Sequence, residues 1–441
     1  MHPMRTRPFA ALAAAALVVA GAACHTSDLL NVQAPNAVSV SIYDNPINAT
    51  LMVNSAIGDF ECAFGSYVVA EGLATDELHD ATLANGDWNL DRRDNGFTNG
   101  LYGTNTCTTV TGMYTPLSTA RGEADAAVTR LAGWTVAQVP NLATLQAQAN
   151  LYTGFSYSAL GMAMCQAAFD LGPLVDQPGM FTLAEARFTA AIAAAQTAGS
   201  TNLATAAYAG RARVRLFLHN TAGAIADAQL VPPGFVFNAA MDATNARRFN
   251  HVYQGIATAG SATVEVTARA LTTENGEVDP RSATTQLKTV PPDGLATIFI
   301  PTKYNAASLT AGEALPMPIV RYAEAQLILA EAQGGASAVT IINAMRAAVS
   351  LKPYTGATDA ASITKLITSE RQRVLFLEGT RGYDIERFNL PLVPAVGAPY
   401  LQGGVYGGTV CLPLPDIERF HNPSIDASKL ITGVQGQFTP P

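Results

Sequence analysis

The 441 residues carry 26 basic against 34 acidic side chains, a formal charge of -8, which excludes the basic footprint of a sequence-independent nucleic-acid binder. Only 14% of residues are charged while 49% are apolar, and with many alanines this implies close-packed helices wetted by Ser, Thr, Asn and Gln, a surface suited to neutral polar ligands. The length allows two or three ordinary domains, or one extended helical array with an inserted lobe.

Residues 1–23 read as an export signal: Arg5 and Arg7 give a positive start, and Phe9 to Ala20 form an apolar run too short to span a bilayer. Gly21-Ala22-Ala23-Cys24 puts small residues ahead of a cysteine, similar to a bacterial lipoprotein signal, with Cys24 as the lipidated first residue of the mature chain. At about 0.8 kcal/mol per buried methylene, a multiply acylated terminus would stay on a membrane. Asp28 to Val40 reads as a polar tether. The other cysteines, Cys62, Cys107, Cys165 and Cys411, are even in number, as suits an oxidising exported compartment, and two bridges are possible. Cys62 and Cys107 both lie near N-terminal loops and are expected to pair, whereas Cys165 falls in a helical pattern and reads as buried. No CxxC spacing supports a metal site.

Helical patterns begin at Asn48 to Phe60 and again near Tyr67. The Gly-, Asn- and Asp-rich passage from Asn85 to Gly112 reads as loop, where binding residues concentrate. Asp91, Asp94, Asn95 and Gly96 hint at a calcium loop, but Arg93 and Tyr102 stand where an EF-hand needs ligands, so structural calcium is not predicted. Residues 114–131 and 141–171 are long helical patterns. Between Thr182 and Leu230 two further helix pairs are expected, with Ala186, Ala190, Ala193 and Ala194, then Ala207, Gly210 and Val214, as small residues at close crossings before Pro232-Pro233; this is a tetratricopeptide-like (TPR-like) pattern. From Pro232 to Pro316 the punctuation by Pro, Gly, Thr and Asn predicts a second, irregular lobe with strands in Ala262 to Leu271 and Thr297 to Ile300.

Three helices are predicted from Pro316 to Phe388. The first is begun by Pro318 and carries Ile319, Tyr322, Ala323, Gln326, Leu327 and Ala330 on one face until Gly334-Gly335; the second carries Ala338, Ile342, Met345 and Val349. In the third, Ile363, Leu366, Ile367, Glu370, Val374 and Leu377 share a face, so Glu370 projects where water is scarce and must be paired. Arg371, Arg373, Arg381 and Arg387 are its candidate partners.

The runs Arg321 to Ala332 (RYAEAQLILAEA), Ile342 to Ala348 (INAMRAA) and Ile367 to Phe388 (ITSERQRVLFLEGTRGYDIERF) resemble the C-terminal signature of the SusD/RagB family of nutrient-uptake lipoproteins. Gly382 and Tyr383 stand where a bulky aromatic and a Phe or Tyr are usual. Asp279-Pro280-Arg281, Lys303-Tyr304, Leu412 to Asp416 and Asn422-Pro423 also fill slots of that pattern. The resemblance implies a mainly α fold, a TPR-like helical array with an irregular loop-rich second lobe containing a few short strands. It divides the chain into a signal peptide (1–23), an N-terminal region with TPR-like helices and binding loops (24–231), an insertion lobe (232–315) and a C-terminal helical region with its tail (316–441). It further implies a protein on the outer leaflet of an outer membrane, binding oligosaccharides or peptides and handing them to a SusC-like TonB-dependent transporter, with no bond broken.

The residues themselves offer little catalysis. His25, His79, His219, His251 and His421 are scattered singly, and no GxSxG, Walker A or Rossmann set occurs. Asp76-Glu77 could be imagined as a glycosidase dyad, but such pairs usually sit on a solvated turn. Glu370, Arg371, Glu378, Arg381, Asp384 and Arg387 form the densest charge set and read as a structural network, since charges at buried helical positions persist only when paired. Trp88, Phe97, Tyr102 and Tyr114 are the stacking candidates for ligand, with Asn85, Asp87 and Asn89 as hydrogen-bonding groups. The rival readings are a structural TPR-like envelope lipoprotein acting as a scaffold, and a surface glycosidase.

Overall fold

The computed structural model describes residues 40–83, 85–96, 101–104, 107, 112–420 and 422–436. The signal segment, Cys24, Phe97 and His421 lie outside them, as do the side chains of Asn85 and Asp87. The chain separates into two units, residues 1–48 and 49–441. The first contributes a helical turn at Val40–Tyr43 and a 3-10 turn at Pro46–Asn48. All that follows concerns the second.

Helix α1 runs unbroken over Ala49–Leu73, where two helices were expected. Every residue from Phe60 to Leu73 is buried, so there is no polar face to set off an apolar stripe, and periodicity cannot trace such a helix. The loop expected at Asn85 to Gly112 contains two short helices, α2 (Asn85–Asp91) and α3 (Leu101–Thr104). Then come α4 (Tyr114–Ala132) and α5 (Leu142–Ala163). The pattern expected to continue to 171 instead ends at an extended Met164 and becomes a hairpin, strand β2 (Gln166–Ala168) against β3 (Leu174–Asp176), turned by left-handed Asp170 and Leu171.

Next are α6 (Gln177–Thr197), α7 (Thr201–Phe217) and α8 (Thr221–Ala228). Their starts are written locally. The side chains of Asp176, Ser200 and Asn220 each accept a backbone N–H of the first turn, and Pro178 sits in the opening turn of α6. Helices α1, α4, α5, α6, α7 and α8 pack as successive neighbours, the TPR-like array. Phe188 on α6 fills the crossing with α5 and α7. A Cβ at Gly154 would come within 2.7 Å of its ring and one at Gly210 within 2.6 Å, so only glycine lets the three helices close on that ring.

The second lobe holds strands shorter than expected, Ala262–Val264 and Phe299–Pro301 among them, because each strand pairs with one equally short partner. The pairs are antiparallel: Leu78–Asp80 with Ala262–Val264, Thr284–Gln286 with Phe299–Pro301, and Val236–Ala239 with Met317–Arg321. Ile319 and Pro318, read as helical, belong to that last strand, and helix α9 begins only at Tyr322 after an extended Arg321. It runs to Gln333, followed by α10 (Gly335–Ala347), α11 (Ala360–Val374, capped by Asp359) and α12 (Arg381–Arg387). Leu377, expected on the face of α11, lies beyond its end in a turn with φ of 51°, beside Gly379 at 73°.

Cys62 and Cys107 form a disulfide, and Cys165, read as a buried thiol, forms a second with Cys411, which ties the C-terminal tail to the β2–β3 hairpin. No described helix is long and apolar enough to cross a membrane. We expect Gly210→Ala to destabilise the protein by about 1–3 kcal/mol through overpacking against Phe188. Gly58→Ala, whose new methyl meets nothing within 4 Å, should stabilise it by about 0.5–1 kcal/mol. Denaturant unfolding of both variants measures the contrast, and equal effects would remove Phe188 as the cause.

Candidate functional site

Two features beyond the array could carry function: the charged residues around α11 and α12, and the loop that carries Trp88. Glu370 has no solvent exposure and is met by three guanidinium groups, Arg373 at 2.6 Å, Arg346 at 2.7 Å and Arg281 at 2.8 Å. Of the four arginines expected to partner it, only Arg373 does. Arg371 sits about 100° further round the helix and faces elsewhere. Arg346 also grips Glu274 through two bonds of 2.7 and 2.8 Å, and Arg373 and Arg281 share Asp279. Three carboxylates thus face three guanidiniums, joining α10 and α11 to the second lobe.

The remaining charges form separate pairs. Glu378 takes Arg321 at 2.9 Å and Lys303 at 2.7 Å. Asp384 takes Arg371 at 2.7 Å and Arg387 at 2.8 Å, and Arg387 also binds Glu331. Arg381 holds Asp76 through two bonds of 2.7 Å, which fastens α12 to the end of α1. Burial alone would raise the Glu378 and Asp384 carboxyls, but Arg321 and Lys303, and Arg371 and Arg387, hold both below their usual values. Part of this set borders open space: Asp76, Arg381, Lys365, Gln372, Leu271 and Pro391 line a groove of about 370 Å³, and Glu331, Arg387, His219 and Phe217 one of about 250 Å³.

Asp76 and Glu77 are 4% and 1% exposed, so they do not sit on a solvated turn. Glu77 accepts the Leu377 N–H at 2.9 Å, yet burial, aided by the Asp76 charge, pushes its carboxyl up to about 8 against the pull of that bond, Arg381 and Lys303. His79, one of the singly scattered histidines, lies in a strand with Nδ1 2.9 Å from Asp91. Burial disfavours its charge, but Asp91, Glu265 and Asp80 outweigh that and raise its pKa. Asp91 also accepts the Asp80 N–H at 2.7 Å and the Tyr400 hydroxyl at 2.9 Å on the same oxygen, Oδ2, so the group anchors the end of α2.

Above that anchor, the half-buried Trp88 donates its indole N–H to the Thr82 carbonyl at 3.1 Å. Leu83 and Leu401 are exposed nearby, on segments joined by Gln402, which donates to the Asp80 carbonyl and to Asp293. Asn89 accepts from Arg92 at 2.5 Å, and the Arg92 guanidinium lies 5.8 Å from the Tyr400 ring centre. Arg93, 1% exposed, donates to the carbonyls of Val393 and Pro394 and rests on Tyr406, which pins residues 393–410 over this loop. Sequence reasoning missed Tyr400, Tyr406, Arg92 and Gln402; only the four-residue spacing of Trp88 and Arg92 was there to be read.

Tyr102 and Tyr114, expected to stack on ligand, are each 1% exposed and cannot. Tyr102 donates to the Pro413 carbonyl at 2.7 Å, and Tyr114 lies 3.4 Å from the Ala168 carbonyl and 3.3 Å from Glu418. They seat the C-terminal tail on the first helices. Among the described residues no cluster of three or more His, Cys, Asp or Glu could hold a metal ion.

Residues 238–416 match the sequence model of the SusD family. No curated protein sequence matches the chain. Among solved structures, a SusD superfamily protein from Bacteroides vulgatus aligns with a TM-score of 0.62 at 16% identity, over 86% of this chain and 98% of its own. A laminarin binding SusD-like protein aligns at 0.60 and 16%, with the same coverage. Surface glycan-binding protein A from Bacteroides thetaiotaomicron, solved in complex with laminarihexaose, aligns at 0.63 and 14%, over 86% of this chain and 98% of its own. At these identities the likeness is one of fold.

Two outcomes follow for the charged set. Glu370→Ala leaves Arg281, Arg346 and Arg373 short of a buried counter-charge and should cost about 3–5 kcal/mol, read as a fall in melting temperature; an unchanged melting temperature would show the carboxylate to be dispensable. A Glu77 carboxyl near 8 in the folded chain, against 4.5 unfolded, binds its proton more tightly when folded. Its contribution is therefore whole below the unfolded value and is lost as pH rises through about 8. Glu77→Gln should flatten the decline in melting temperature between neutral and alkaline pH, and parallel curves for variant and parent would contradict this.

Proposed function

Because this chain is a member of the SusD/RagB family, matched by sequence over residues 238–416 and by fold over most of its length, we propose that it is a lipid-anchored outer-membrane protein that binds oligosaccharides, or peptides, and delivers them to a TonB-dependent transporter. The observation that carries the reading is Trp88, a half-buried aromatic ring fixed at its polar edge by the Thr82 carbonyl, with exposed Leu83 next in the chain after Thr82. The C–H face of a sugar ring stacks on such a surface, while Asn89 and its neighbours supply hydrogen bonds. Two proteins of the same fold are a laminarin binding protein and one solved with laminarihexaose, which supports a glycan as cargo. The lipid would be carried by Cys24, and the transporter would dock on the stacked TPR-like helices, whose repeated surface offers a broad contact face. Capture without bond cleavage is the activity we assign.

Calorimetric titration with a panel of oligosaccharides, laminarihexaose among them, tests this. Trp88→Ala should weaken the binding of any oligosaccharide the parent takes by about tenfold or more, equivalent to about 1.4 kcal/mol. Unaltered affinity would take Trp88 out of the site, and failure of the whole panel, with peptides included, would favour the scaffold reading.

A further inference from the structure

Trp88 and Arg92 are one helical turn apart. Arg92 follows the last residue of α2, and its backbone N–H bonds to the Trp88 carbonyl at 2.8 Å, which continues the helical turn and brings the two side chains to the same side of it. The Arg92 guanidinium is held in place by neutral groups alone: Nη2 donates to Asn89 Oδ1 at 2.5 Å, Nη1 donates to the Gly403 carbonyl at 3.4 Å, and the Tyr400 ring lies under it. No carboxylate lies within ion-pair distance of it among the described residues, unlike Arg346, Arg373 or Arg387. Two acids on the neighbouring segments are engaged elsewhere, Asp91 with His79 and Tyr400, and Asp293 with Gln402 and the Leu295 N–H.

An arginine that is immobilised yet unneutralised, on a protein of formal charge -8, is a poor stabilising device and a good anion receptor. Each Nη keeps one N–H beyond the bonds just described, so a carboxylate can be met by both in the parallel fashion that suits guanidinium. A neutral sugar stacked on Trp88 would leave those donors to water. Resting on the assignment of Trp88 as the stacking residue, we infer that the loop selects acidic oligosaccharides: Trp88 takes the ring face and Arg92 the carboxylate of a uronic acid. This departs from the neutral ligands that composition alone suggests, because selection is set by one placed charge and not by the average surface.

The test uses the mature protein and two probes of equal length, hexagalacturonate and laminarihexaose, titrated calorimetrically at about 50 mM and about 300 mM salt, where screening differs strongly. Hexagalacturonate should bind about tenfold or more tighter at low salt, with the preference shrinking at high salt. Arg92→Gln, which keeps an amide beside Asn89 and Gly403, should abolish the preference, and Arg92→Lys, which keeps the charge and loses the fork, should retain part of it. A matching melting curve shows that either variant is folded. If laminarihexaose binds as tightly as the uronate, or if Arg92→Gln leaves the preference intact, the inference is overturned while the Trp88 platform stands. If Trp88→Ala alters the binding of neither probe, the platform itself is overturned and the inference with it.

Discussion

A carboxylate with no access to water, Glu370, sets the geometry of the C-terminal half. Arg281, Arg346 and Arg373 all reach it, and those three come from the second lobe, α10 and its own helix α11. The cluster therefore works as a coincidence requirement: the second lobe and α10 must both arrive at α11, or the buried carboxylate loses part of its counter-charge. Buried ion clusters of this kind seldom add much net stability over an apolar core. What they add is discrimination among packings, which an alanine-rich array needs, since small side chains at helix crossings tolerate sliding more readily than interlocked large ones.

The array answers the same problem differently in its N-terminal half. Phe188 between Gly154 and Gly210 fixes one crossing by shape, and Arg213 fixes another by gripping Glu324 with bonds of 2.5 and 2.7 Å and the Ile319 carbonyl with a third. Arg213 lies on α7 and Glu324 on α9, so this pair carries the array across the inserted lobe. The two disulfides are buried, one joining α1 to the segment after α3 and one joining the residue before the β2–β3 hairpin to the tail. A closed loop of such length loses much of its unfolded-state freedom.

What could be read in the sequence follows from these devices. Helices with one apolar face, such as α4 and α11, were legible within a few residues, and so was the isolation of Glu370 on an apolar stripe, because both are local patterns. Of its partners only Arg373, three positions on, was legible, since Arg281 lies 89 positions away and no periodicity connects the two. Helix α1 hid for the opposite reason, having no solvent face over its second half. Tyr102 and Tyr114 looked like loop aromatics because the passage around them has loop composition. Their burial depends on a tail about 300 residues later, whose arrival nothing nearby announces. The same tail supplies Tyr400 and Gln402 to the Trp88 loop, so half of that platform was also out of reach.

The two ways this chain uses arginine separate its scaffold from its surface. In the interior, guanidinium groups such as those of Arg346, Arg373 and Arg387 are held by carboxylates, which dictate their position. Arg92 and the buried Arg93 are placed by carbonyls, an amide and two tyrosine rings, which fix position without cancelling charge. Arg93 has spent that charge in holding the tail and is closed off. Arg92, one turn from Trp88, has not. A charge placed in this way, one turn from Trp88 and with no carboxylate within ion-pair distance among the described residues, has leverage over what approaches the loop.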